Sequence, residues 1–262
     1  EGGESQLQDY NLNEDIAARE GLVCGGTMYF LIDPVRDAKD LTSAVGKIVD
    51  AYDGGTSMGQ ATLLKPSNSK GSVGDKLFLE TDGSVSGSLG DAKRDKEAVG
   101  ALKGLMDYGR INYLNTEDGA EIFLEGFTTP ASVVIAGGGH IGKSLAPLVK
   151  MLGLKLYVVD DRPEFANKER FPEADEVVVA QYHEGLKQLD IRPNTAIIVA
   201  TRGHREDDLA LEAAAMSPAG YVGLVGSRRK TILIYEELLK NGMPKERIQA
   251  IHSPIGLDIG AK

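Results

Sequence analysis

The stretch ASVVIAGGGHIGKSLAPLVKMLGLKLYVVDDR, residues 131–162, constrains the fold more than any other part of the chain. Its apolar run Ser132 to Ala136 reads as a buried strand and stops at Gly137, Gly139 and Gly142, in the spacing GxGxxG. Leu145, Leu148, Val149 and Leu152 then recur at helical spacing, and Leu154 to Val159 reads as a second strand that delivers Asp160. Glycines at a strand-to-helix turn let a phosphate approach free N–H groups, and an acid about 20 residues further on is placed to bind a ribose hydroxyl.

Strands and helices keep alternating downstream. Glu176 to Ala180, Thr195 to Ala200 and Tyr221 to Val225 read as strands, and Glu206 to Met216 and Lys230 to Leu239 as helices. That alternation predicts a parallel sheet covered by helices on both faces. Ligands of such sheets bind beyond the carboxyl ends of the strands. The residues there are Gly137, Gly138, Gly139, His140 and Gly142, then Asp160, Asp161 and Arg162, then Thr201, Arg202, Gly203 and His204, then Gly226, Ser227, Arg228, Arg229 and Lys230, and finally His252 and Ser253. Glycine amides at a helix start suit one anion, and the arginines of GSRRK can bind a second bidentately. On the residues alone an NAD(P)-dependent oxidoreductase fits the glycines and Asp160, although no Tyr-Lys catalytic pair stands beside them.

The N-terminal half has a different rhythm. Residues 1–20 are polar and give no strand signal, so the chain reads as starting partway through a domain. Thr27 to Ile32 reads as a strand with Cys24 at its entrance, followed by a helix over Asp37 to Ala51, short strands over 59–90 with a hairpin at Asp82-Gly83, a helix over Lys93 to Tyr108, and a strand over Ala120 to Leu124. Cys24 reads either as a small buried hydrophobe or as a thiol activated by the amides of Gly25 and Gly26. GGTMYFL at 25–31 and DGAEIFL at 118–124 share a glycine, a phenylalanine and a leucine in register, which suggests a truncated tandem duplication. The polar Gly-to-Pro link GFTTPAS sets the boundary: an α+β region over 1–127 and an α/β domain over 128–262.

A net charge of −10 argues against a nucleic-acid or anionic-membrane surface. No apolar run approaches the ~20 residues that span a bilayer, and the expected location is the cytoplasm. One cysteine and four histidines without short spacing exclude a disulfide framework and give no expected metal site.

VVIAGGGHIG, VVDDRPEFANKERFPEADEVV, TRGH, GSRRK and HSPIGLDIGA, in this order, closely resemble the C-terminal Rossmann domain of the XdhC/CoxI family, the xanthine dehydrogenase accessory proteins. EGLVCGGTMYFLIDP at 20–34 resembles the end of that family's N-terminal domain. The resemblance implies a chaperone rather than a catalyst. Such a protein binds molybdenum cofactor as molybdopterin or its dinucleotide form, works with a cysteine desulfurase in its sulfuration, and inserts it into a molybdenum hydroxylase apo-enzyme. A homodimer is a further expectation, and Cys24 is the candidate thiol. The family's glycine-rich segment carries a cysteine after a hairpin, where this chain has Gly90-Asp91.

Overall fold

The computed structural model describes residues 3–12, 26–34, 38–202, 204–257 and 259–260, with only the backbone described at residues 12, 38–41, 43 and 204–207. The chain divides into two compact units, Glu1–Thr129 and Pro130–Lys262.

The first unit opens with an antiparallel pair, β1 (Gln6–Leu12) and β2 (Gly26–Ile32). The polar start of the chain therefore does contain a strand. Its alternation of Leu7 with Gln6 and Gln8 was too polar to signal one, and pairing with β2 supplies what intrinsic propensity does not. After α1 (Ala38–Asp53) come β3 (Met58–Lys65), β4 (Lys76–Glu80), β5 (Val85–Gly87), α2 (Ala92–Met106), β6 (Ile111–Asn115) and β7 (Glu121–Phe127). The last five strands form an antiparallel sheet in the order β5-β4-β3-β7-β6. Along β7 every second residue is buried, so Ile122 and Leu124 meet Ala98, Leu102 and Met106 of α2 over one face. The two similar stretches seen in the sequence each form the second strand of an antiparallel pair, with Phe30 opposite Gln8 and Phe123 opposite Tyr113. They differ in that β7 also pairs with β3.

Gly90-Asp91 has a structural task here. Asp91 is the N-cap of α2, accepting from the amides of Lys93 and Arg94, and it also pairs with Lys70 at 2.6 Å. Arg94 is fully buried beneath it, donating to the carbonyls of Lys70, Leu89 and Ser67 and to the Asp118 carboxylate.

The second unit is built from β8 (Ser132–Ala136), α3 (His140–Met151), β9 (Lys155–Asp160), β10 (Glu176–Val179), α4 (Tyr182–Gln188), β11 (Thr195–Val199), α5 (His204–Met216), β12 (Tyr221–Leu224), α6 (Arg228–Lys240), α7 (Lys245–Gln249) and β13 (Ile251–His252). The strands form one parallel sheet in the order β10-β9-β8-β11-β12-β13. Numbered from β8, that order is 3-2-1-4-5-6, the Rossmann arrangement. All five residues of β8 are buried. Val133 and Ile135 point into the core that α3 closes, and Val134 and Ala136 into the core that α5 and α6 close. A continuous apolar run is what a central strand covered on both faces requires. The chain leaves β8 first towards β9 and later crosses back to β11, so the topological switch lies between the carboxyl ends of β8 and β11.

Candidate functional site

The glycine turn after β8 is crowded on every side but one. Gly137 has φ +123°, and a Cβ there would lie 2.3 Å from the carbonyl oxygen of Ala200 at the end of β11. A Cβ on Gly142 would lie 2.3 Å from the Gly137 carbonyl oxygen, and one on Gly138 would lie 2.1 Å from the carbonyl oxygen of Phe165. Each clash is with backbone, which cannot step aside as a flexible side chain can. Nothing lies within 4 Å of the equivalent position on Gly139, the N-cap of α3. The amides of the first turn of α3 have no acceptor one turn back, so the open side of Gly139 is where an anion can reach them.

Asp160 sits at the end of β9, where a dinucleotide fold presents an acid to ribose. Its carboxylate is instead fully buried and occupied. Oδ2 accepts from the Gly138 amide at 2.8 Å and from Arg162 Nη2 at 2.9 Å, while Oδ1 accepts from Arg162 Nε at 2.8 Å and the Arg162 amide at 3.1 Å. Burial alone would push this carboxyl upwards. The hydrogen bonds from Arg162 and the Gly138 amide outweigh it and hold Asp160 below its ordinary value, ionised at neutral pH. Asp161 is largely buried beside it, with Oδ1 3.7 Å from Arg162 Nε.

The segment after Asp160 folds back over the glycine turn. The Arg162 guanidinium lies 3.6 Å from the Phe165 ring centroid, and that of Arg170 lies 5.0 Å from it. Arg170 Nε donates to the Gly138 carbonyl at 2.7 Å, and Phe171 anchors the far end of the segment in the core. Asn167 stiffens the span, donating to the Pro163 carbonyl and accepting from the Arg170 amide, both at 2.8 Å. Phe165 and Arg170 were not singled out from the sequence. The only signal for them is an aromatic flanked by arginines after the strand, and its meaning depends on a loop path that periodicity does not encode.

The other strand ends gather as the topology requires. Thr201 and Arg202 follow β11, with Thr201 half-buried and Arg202 exposed. Gly203 and Cys24 lie outside the described residues, and the His204 side chain likewise, although His204 opens α5. Ser227 caps α6 by accepting from the Lys230 amide, leaving Arg228 and Arg229 exposed on the first turn and Gly226 half-buried before it. The hydroxyls of Ser253 and Thr231 meet at 2.7 Å, and the Ile255 amide donates to the Leu224 carbonyl at 3.0 Å, so the SPIG turn lies across the end of β12. His252 is turned to a neighbour: its ring stacks on Tyr221 at 4.6 Å and 13°. Gly223, opposite His252 in the register, makes room, since a Cβ there would lie 2.9 Å from the Tyr221 ring.

Among the described residues, no helix is long and apolar enough to cross a membrane. Residues 133–262 match the XdhC Rossmann domain family. The chain is 28% identical over 202 residues to an uncharacterised protein of Escherichia coli K12, a match covering 71% of this chain and 37% of that protein. It is 28% identical over 141 residues to a Bacillus subtilis 168 protein named as a probable xanthine dehydrogenase subunit, covering 54% of this chain and 41% of that protein. The matches thus span about two-fifths of the length of these curated relatives. A solved structure of a xanthine dehydrogenase from Bacillus halodurans superposes with a TM-score of 0.63 at 23% identity, covering 99% of this chain and 70% of that one, a likeness of fold.

Proposed function

Because the chain belongs to the XdhC family through its Rossmann domain, residues 133–262, we propose that it is an accessory factor that binds molybdenum cofactor and hands it to a molybdenum hydroxylase of the xanthine dehydrogenase type. The observation that carries this reading is the pairing of two anion-accepting helix starts on one sheet edge. The first turn of α3 follows β8 and that of α6 follows β12, strands two places and about 10 Å apart in the sheet, with the two helices on opposite faces of it. Gly139 leaves the first turn open, and Arg228 and Arg229 add charge to the second. A pterin phosphate fits the donors at α3, and the arginines at α6 suit a further anionic group. When bound, the cofactor supplies the molybdenum chemistry of the hydroxylase, and this chain's residues bind and orient it.

The relatives support the same direction, since one of them is named as a probable xanthine dehydrogenase component. The competing reading, an NAD(P)-dependent oxidoreductase, rests on the glycine spacing and loses its second support once Asp160 is found engaged by Arg162. Equilibrium titration of the full chain separates the two. The cofactor reading expects molybdopterin to bind more tightly than NADPH, and Arg228→Ala with Arg229→Ala to weaken it about tenfold or more, as loss of charge-assisted hydrogen bonds does. NADPH binding more tightly than molybdopterin sinks it.

A further inference from the structure

We infer that Asp160 is a positioning residue for the glycine turn and that the crevice recognises a phosphate-bearing ligand without gripping a ribose diol. This rests on the reading that the crevice is a ligand site and narrows the class of ligand it takes. An ionised carboxylate has about four lone-pair directions. In Asp160 all four are occupied, two on each oxygen, by the Gly138 amide, the Arg162 amide, and Nε and Nη2 of Arg162. The side chain is fully buried, so a ribose hydroxyl has neither a free acceptor nor a path to one.

The same contacts define the turn. Asp160 fixes the Gly138 amide, Arg170 Nε fixes the Gly138 carbonyl, and the Phe165 backbone lies against the Gly138 Cα. With both polar groups of Gly138 held from below and the side, Gly139 and the first turn of α3 face the open side already in place. Such preorganisation lowers the ordering cost of binding an anion there. The stack of Arg162 on Phe165 fills the place beside Asp160 and completes the closure. The ligand class is therefore a phosphate ester whose remaining recognition comes from elsewhere in the crevice, as in a phosphorylated heterocycle, rather than an adenosine ribose held by the acid after β9.

Titration of the full chain with ADP-ribose and with inorganic pyrophosphate, together with amide NMR of the parent and of Asp160→Asn, tests this. The expected result is that ADP-ribose binds within about threefold of pyrophosphate, because its riboses find no acceptor at Asp160. A shifted Gly138 amide proton is also expected in the folded variant, because its charged acceptor has become a neutral one. If Asp160→Asn does not fold, Arg162→Gln provides the same readout, since it removes the charge that orients the carboxylate. ADP-ribose binding at least about tenfold more tightly than pyrophosphate overturns the inference, and so does an unmoved Gly138 amide. Neither readout involves molybdenum cofactor, so failure of the proposed function and failure of this inference are distinguishable.

Discussion

Replacing Arg162 with alanine removes the guanidinium from a carboxylate that has no access to water. Asp160 is fully buried, and the Arg162 side chain retains 18% of its exposure. After the change, only the amides of Gly138 and of position 162 itself still face the carboxylate. Breaking a buried ion pair costs about 3–5 kcal/mol, against about 0–1 for an exposed one. Full burial of the acid places this pair in the first class, and partial exposure of the arginine at its lower end, so the expected loss is about 3 kcal/mol at pH 7. The pH dependence follows from the folded-state value of Asp160, which lies below the ordinary 3.8. A depressed carboxyl contributes stability that is fully present above the unfolded value and is lost as pH falls through the folded one. The deficit of the variant should therefore be largest at neutral pH and shrink below about pH 4, where a protonated Asp160 no longer needs a cation. Hydrogen exchange in urea, followed by mass spectrometry on peptides from 130–171, isolates this unit from the other. A cost below about 1 kcal/mol at pH 7, or an equal cost at pH 7 and pH 3, would refute the reasoning.

In the first unit, the Arg94 contact is the leading cause that holds Asp118 at about 2, with Thr116 next. Arg94→Met should raise that carboxyl towards 3.8, read by carbon-detected NMR titration, and an unchanged value would transfer the effect to Thr116. Two glycine changes should have opposite signs in thermal melts. Gly142→Ala drives a Cβ against the Gly137 carbonyl oxygen and should destabilise by about 1–3 kcal/mol or more. Gly100→Ala, on the exposed side of α2 with nothing within 4 Å, should stabilise by about 0.5–1 kcal/mol.

The parallel sheet was legible because its signal is local: an apolar strand, a glycine turn and an amphipathic helix each announce themselves within a few residues. The strand ends were legible for the same reason: Gly137, Thr201 and Ser227 follow strands, and Asp160 ends one, as the alternation required. Side-chain direction at those ends was not legible. Asp160 and Arg162 are two residues apart, and whether the acid meets a ligand or its own neighbour depends on the fold of the segment from Asp161 to Phe171, which has no periodicity. His252 lay hidden similarly, because its stacking partner Tyr221 comes from another strand and is brought beside it only by the register of β12 and β13. In the first unit, the polar strand β1 could be read only through its partner. The buried Arg94 carries no sequence signature, since its backbone acceptors are three carbonyls from two separate turns, Ser67 and Lys70 in one and Leu89 in the other.

The central claim is that the crevice at the ends of β8, β11 and β12 holds molybdenum cofactor. The most direct measurement is native mass spectrometry of the full chain purified from molybdenum-replete cells, with the released small molecule identified by its fragmentation. The account predicts a phosphate-bearing pterin that is lost when Arg228 and Arg229 are both replaced by alanine. Recovery of a nicotinamide dinucleotide instead would contradict it.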